Sequence, residues 1–239
     1  MSWRVGLEHV DDLAADLAES MTVPPDKERV DSLSVAADYN RVADEYARHI
    51  YGELAAKPFD RDALDRFAER TAGDAVCDAG CGPGHVARYL HDRGCDVFGI
   101  DVASRMVALA GELNPMISFR VADLREPHIP PESLAGIVCF YSLIHFTADE
   151  LAPVLETLGR ALRPGGSLLL AVHEGAETRA PGEMWGIPVS LQFHFFTRNE
   201  IEQALSAAGL AIEEIVHRPP YPEVEVETDR LYAWAIKDG

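Results

Sequence analysis

The stretch Val76-Cys77-Asp78-Ala79-Gly80-Cys81-Gly82-Pro83-Gly84-His85, with Gly99-Ile100-Asp101 beyond it, constrains the fold of this chain more than any other feature. It reads as a short apolar strand, a glycine turn, a helix, and a second strand ending in a carboxylate. That is half of a nucleotide-binding βαβ unit. Glycine lets the backbone turn sharply and approach a ligand, because no Cβ stands in the way. Asp101 lies 21 residues beyond Gly80, near the spacing at which an acid reaches ribose hydroxyls.

The spacing of the glycines narrows the ligand. A dinucleotide fingerprint is G-x-G-x-x-G, its last glycine packing helix on strand. Here the glycines stand at 80, 82 and 84, and His85 takes the place of that last glycine. Asp78 precedes the turn. A pyrophosphate gains little from that acid, whereas a ligand carrying an amino group and a sulfonium tolerates it. The pattern D-x-G-x-G-x-G resembles the first motif of the class I S-adenosylmethionine (SAM) dependent methyltransferases.

The resemblance extends along residues 74–172. Asp101-Val102-Ala103-Ser104-Arg105-Met106 resembles the second family motif, which implies that Asp101 binds both ribose hydroxyls and that the following helix flanks the adenine. Asp123-Leu124 resembles the third, implying an Asp that accepts from the adenine amino group and a neighbour packed on the ring. Residues 136–146, with Tyr141, resemble the strand-four motif that lines the methionine moiety and the reacting methyl. Leu162-Arg163-Pro164-Gly165-Gly166 resembles the turn before strand five. Upstream, Tyr39-Asn40-Arg41-Val42-Ala43-Asp44-Glu45-Tyr46 looks like the tyrosine-bearing helix of small-molecule methyltransferases, so Tyr39 or Tyr46 would close over the methionine end of SAM.

Periodicity supplies the architecture independently. Helical patterns cover about residues 7–20, 35–53 and 60–70. From residue 75 strands alternate with helices: strands at 75–78, 96–100, 117–121, 137–141, 167–172, 211–217 and 230–236, and helices at 86–92, 104–112, 149–162 and 200–208. Thr147-x-x-Glu150 and Thr197-x-x-Glu200 are capping boxes that open the last two helices. Such alternation implies a doubly wound parallel sheet with helices on both faces. Residues 218–229 hold no helix, too short a crossover for parallel strands, so the last two strands should be antiparallel. The expected fold is therefore α/β and Rossmann-like: a seven-stranded sheet, mostly parallel with one antiparallel strand, plus N-terminal helices. Residues 1–72 read as a helical cap and 73–239 as the SAM-binding domain, with an insertion at 174–196. That insertion is long and rich in large side chains, among them Met184, Trp185, Phe193, Phe195 and Phe196, and reads as an apolar lid on the acceptor pocket. The acidic run 223–229 reads as a solvated loop.

Methyl transfer asks little acid–base chemistry of a protein, because the sulfonium already activates the methyl. A general base is needed only when the acceptor must lose a proton. Candidates stand after strands four and five: Tyr141, His145, His173 and Glu174, with His145 best placed. The histidines are scattered without ligand spacing, so no metal site is expected. Cys77, Cys81, Cys95 and Cys139 form no C-x-x-C pair and read as buried thiols of a reducing compartment. A net charge of −19 gives no basic surplus for a nucleic-acid backbone. No apolar run spans a membrane, and Glu8, Asp11, Asp12 and Asp16 argue against a leader peptide. The expectation is a cytoplasmic monomer or homodimer that converts SAM to S-adenosylhomocysteine (SAH) on a small-molecule acceptor. A SAM- or SAH-binding module or an inactive partner subunit, without transfer activity, is the alternative. A nicotinamide-dependent oxidoreductase is disfavoured by the missing third glycine and by Asp123.

Overall fold

The computed structural model describes residues 31–239; the helix expected at 7–20 lies outside them. Helix α1 (Ser32–Ile50) is opened by Asp31, whose carboxylate accepts from the Leu33 N–H at 3.2 Å. It ends earlier than expected, and a separate 3-10 turn follows at Glu53–Ala56. Helix α2 (Pro58–Thr71) starts on proline, whose fixed φ suits the first helical position. Its Leu64 and Phe67 are fully buried.

The alternating part then runs β1 (Ala75–Ala79), α3 (His85–His91), β2 (Asp96–Asp101), α4 (Ser104–Leu113), β3 (Ser118–Val121), β4 (Leu134–Phe140), α5 (Ala148–Ala161) and β5 (Leu162–His173). After an insertion come α6 (Arg198–Ala207), β10 (Leu210–Arg218) and β11 (Arg230–Lys237). Both expected capping boxes are formed. The seven long strands make one sheet in the order β10-β11-β5-β4-β1-β2-β3. Every pairing in it is parallel except those of β11, which is antiparallel to both β5 and β10. The turn expected at 162–166 is absorbed into β5, where a register shift opposite Leu134–Gly136 accommodates Gly165 at φ +74°.

Both faces of the sheet are covered, which is why its central strands read as unbroken apolar runs. Ile137, Cys139, Leu168 and Leu170 bury on one face with α5 and α6. Val138, Leu169, Tyr232 and Trp234 bury on the other with α2 and α3. Residues of β4, β5 and β11 therefore alternate between two cores.

The insertion folds into two short antiparallel pairs: β6 (Thr178–Arg179) with β9 (Phe193–His194), and β7 (Glu183–Met184) with β8 (Ile187–Pro188). It is fastened to α1. The buried Asp38 carboxylate accepts from the Ser190 N–H at 2.6 Å and its hydroxyl at 2.8 Å, and Arg41 donates to the Pro188 carbonyl at 3.1 Å. One expectation fails in the 218–229 connection. The acidic run there is not wholly solvated: Glu225 is buried, because Arg218 reaches it with two hydrogen bonds of 2.7 and 2.9 Å. No described helix is long and apolar enough to cross a membrane.

Candidate active site

The carboxyl ends of β1, β2, β3 and β4 open on a cleft, the usual place for a small-molecule site in this architecture. Tyr39 and Tyr46 reach it from α1, Gly80 and Gly82 from the turn after β1, and Asp101, Val102 and Met106 from β2 and α4. Asp123 and Leu124 follow β3, and Tyr141 and His145 follow β4. Eleven residues singled out from the sequence thus share one cavity, although the longest gap between them spans 106 positions.

The turn itself is held open by close approach. Gly80 has φ +78°, and a Cβ there would lie 2.2 Å from the Ser142 Cβ. Gly84 has φ +81° with the Phe119 ring 2.8 Å from where a Cβ would stand. The Asp101 carboxylate is fixed by backbone donors, the Gly82 N–H at 2.9 Å and the Ala103 N–H at 2.8 Å. Burial raises its pKa, and those two donors oppose the rise. Each of its oxygens retains acceptor capacity. Asp123 is oriented by the Arg125 N–H at 2.9 Å. The buried Ser142 Oγ lacks a hydrogen-bond partner in the protein, so the cleft contains an unfilled polar position.

His145 is held differently from a free base. Its Nδ1 lies 3.1 Å from the Gln192 carbonyl, which only accepts, so that nitrogen carries the proton. Nε2 is then an acceptor, and the Tyr39 hydroxyl donates to it at 2.8 Å. Burial pushes the imidazole down to about 4 and raises the Tyr39 and Tyr46 phenols above their ordinary range. A substrate at this end meets Tyr39 first, with neutral His145 behind it.

Six expected site residues are placed off the cleft wall. Asp78 lies beneath the glycine turn, accepting from the Ala87 N–H at 2.9 Å; burial pushes it up to about 7. Its work is to hold α3 against β1. Trp185, Phe193 and Phe195 stand one layer back rather than over the mouth, because the insertion turns its apolar side to the core. Trp185 packs edge-on to Tyr46 at 6.0 Å and stacks on His49 at 4.7 Å, Phe193 lies 5.3 Å from His145, and Phe195 stacks on His173 at 5.1 Å. His173 itself bonds Thr228 at 2.8 Å behind Tyr141, while Glu174 pairs with His217. Neither lines the cleft.

Sequence reasoning missed Arg125, Ser142 and His85, all on the wall. Arg125 is braced by Glu150 at 2.9 Å and packs over Phe146. No local pattern marks them. Among the described residues no group of three or more His, Cys, Asp or Glu is arranged to hold a metal.

Residues 76–166 match the family model of the methyltransferase domain. Among curated proteins, the malonyl-(acyl-carrier protein) O-methyltransferase of Enterobacter lignolyticus is 35% identical over 139 residues, which is 58% of this chain and 53% of that protein. The chain thus spans about half the length of that relative. The magnesium protoporphyrin IX methyltransferase of Synechocystis PCC 6803, solved with bound SAM, superposes with a TM-score of 0.68 over 89% of this chain and all of its own, at 18% identity. A didemethyltoxoflavin N1-methyltransferase from Burkholderia thailandensis, solved with SAH, gives 0.65 at 19% identity, covering 93% of this chain and 97% of its own. The fold is that of the class I SAM-dependent methyltransferases.

Proposed function

We propose that this chain, a member of the class I SAM-dependent methyltransferases, binds SAM in the cleft and transfers its methyl group to an oxygen of a small-molecule acceptor. The observation that carries this reading is the convergence of Gly80, Gly82, Asp101 and Asp123 on one cavity with Tyr39, Tyr46 and Tyr141. The residues fit the group. Gly80 and Gly82, which carry no Cβ, let the backbone approach the methionine end, and the unpaired Ser142 hydroxyl offers it a hydrogen bond. Asp101, already anchored through backbone N–H groups, accepts from ribose hydroxyls. Asp123 accepts from the adenine amino group, while Val102, Met106 and Leu124 pack on the ring.

Bound SAM supplies an electrophilic methyl on a sulfonium. What the chain adds is alignment and exclusion of water. Tyr46 covers the methionine end. Tyr39 faces the acceptor, and His145, whose acceptor nitrogen is already taken, orients Tyr39 rather than acting as a free base. The three insertion aromatics stiffen this wall from behind. Oxygen is favoured as the acceptor atom by the O-methyltransferase named above. A nucleic-acid substrate is disfavoured by the net charge of −19. Cytoplasmic residence, a monomeric or homodimeric state, and residues 1–72 acting as a cap complete the reading.

Isothermal titration with SAM, SAH and NAD tests it. Micromolar binding of the first two and none of NAD is expected. Asp101→Ala should weaken SAM by about 1.5–3 kcal/mol, the range for a hydrogen bond to a charged group. Unchanged affinity in that variant would sink the assignment, and transfer-deficient binding of SAM would favour the binding-module alternative.

A further inference from the structure

Behind Tyr141 lies a buried ionic cluster that cofactor binding does not use. Lys57, Arg218 and Arg230 meet Glu53, Asp60 and Glu225 in contacts of 2.7 to 3.8 Å. Three cations against three carboxylates leave it neutral, which by itself is only a structural arrangement. Two arms of it, however, reach the cleft: Glu53 meets His85 at 3.3 Å, and Tyr141 joins it through Tyr232. The Tyr141 hydroxyl is 3.0 Å from that of Tyr232, and the Tyr232 hydroxyl is 2.5 Å from Asp60 Oδ1. Arg218 Nη2 also donates to the Tyr232 oxygen, at 2.8 Å.

The direction of these bonds follows from counting protons. Each phenol has one. An ionised Asp60 only accepts, so Tyr232 donates to it; Tyr232 then accepts from Arg218 and from Tyr141. Tyr141 consequently gives its proton away from the cleft and keeps its own lone pairs for an incoming one. The chain ends at a carboxylate whose second oxygen, Oδ2, is buried without a partner. A carboxylate missing hydrogen bonds to its charged form is more basic than a fully satisfied one. Burial raises the Asp60 pKa, against the pull of Lys57, Tyr232 and Arg218, and Glu53 adds to the rise.

We propose that Tyr141, Tyr232 and Asp60 are a proton outlet for the acceptor, and that the acceptor is therefore a phenol or an enol. This rests on the reading of the cleft as a methyl-transfer site. As the acceptor oxygen forms its bond to the methyl carbon, the carbon–sulfur bond of the donor breaks and its electron pair stays on sulfur. The acceptor's hydroxyl proton passes to Tyr141 Oη, the Tyr141 proton to Tyr232, and the Tyr232 proton to Asp60 Oδ1. Cationic donor, neutral acceptor and carboxylate become thioether, methyl ether and carboxylic acid. An acceptor that is already ionised, such as a carboxylate, has no use for this path. An aromatic hydroxyl does, and the rings of Tyr39, Tyr46, Phe140 and Phe146 give a flat acceptor surfaces to pack on.

Tritiated SAM with 4-methylphenol, 2-naphthol and 4-nitrophenol, from neutral to mildly alkaline pH, tests the outlet in wild type, Tyr232→Phe and Asp60→Asn. Wild type should methylate these phenols. Tyr232→Phe should lower kcat on 4-methylphenol by roughly 10²–10⁴-fold, the usual worth of general-base help, with KM little changed. Most of that loss should vanish with 4-nitrophenol once it is ionised in solution. Equal losses on the two phenols would show Tyr232 to be merely structural and overturn the outlet; no transfer to any of the three overturns the acceptor class. Asp60→Asn should mirror Tyr232→Phe wherever it folds, and the tyrosine variant stands alone where it does not. Failure of SAM to bind the wild-type protein overturns the earlier reading instead, so the two failures are distinguishable.

Discussion

Of the three tyrosines that line the cleft, Tyr39 and Tyr141 are backed by protein built on opposite principles. Tyr39 donates to a neutral imidazole whose other nitrogen is tied to a carbonyl. Tyr141 donates toward a carboxylate set among arginines and a lysine. A proton pushed through Tyr39 would create an imidazolium in a place where burial has driven that histidine down to about 4. Its far side offers only a proton already present. The Tyr39 end is thus a fixed post, whereas the Tyr141 end has somewhere for a proton to go. Two residues of the same type differ in chemistry because of their partners, not because of their own exposure.

The sharpest way to break this contrast is to remove the carboxylate. Asp60→Ala leaves Arg218 and Lys57 short of a counter-charge in a nearly dry site, and breaking a buried ion pair from one side costs about 3–5 kcal/mol. Urea unfolding should show that loss, with the slope against denaturant unchanged. A loss below about 1 kcal/mol would mean that the cluster is solvated, and the Tyr141 end would then resemble any surface hydroxyl.

His145 provides the next test, and its sign is opposite to that of a salt-bridged histidine. Its folded pKa of about 4 lies below the ordinary 6.5. Its contribution to stability is complete above 6.5 and is lost as pH falls through 4, because the unfolded chain takes up the proton first. The difference amounts to about 3 kcal/mol. Asp78, pushed up to about 7, acts in the other direction, gaining stability as the pH falls from 7 toward its ordinary range. Wild type therefore has to be compared with His145→Gln. The variant should lose less stability between pH 7 and 4.5 than wild type does. Parallel curves would mean that His145 is hydrated and able to carry charge, and the fixed post would become a second outlet.

How far each end was legible follows from chain separation. The cofactor floor could be read because Gly80, Asp101 and Asp123 stand at the ends of strands whose alternation is local, and a parallel sheet brings all such ends to one edge. His145 could be placed near the site for the same reason, but its bond to Gln192 could not, since that carbonyl arrives from the insertion. The outlet was invisible. Tyr232 lies 91 positions from Tyr141 and 172 from Asp60, and they meet only because β11 enters the sheet antiparallel beside β5. Glu225 was misjudged on similar grounds: in an acidic run a carboxylate reads as solvated, and only the fold brings Arg218 against it. Asp78 belongs to the motif, yet its carboxylate is spent on the Ala87 N–H.

The smallest effect separates the two ends most directly. Tyr39→Phe removes the donor to His145 and leaves a buried Nε2 unpaired, a cost of about 1–3 kcal/mol. His145 cannot recover by changing tautomer, because moving its proton to Nε2 would set Nδ1 against the Gln192 carbonyl oxygen. The ring itself is kept, and with it the edge contact to Tyr46 at 5.7 Å, so the α1 wall should stay in place and SAM affinity should hold. Turnover should fall by a similar factor at every pH, because a post has been loosened and no titrating group removed. Tyr141→Phe should instead change the shape of the pH profile, steepening its dependence on ionisation of the acceptor. A Tyr39→Phe profile that changed shape in the same way would show that both phenols handle protons, and the distinction between post and outlet would fail at its base.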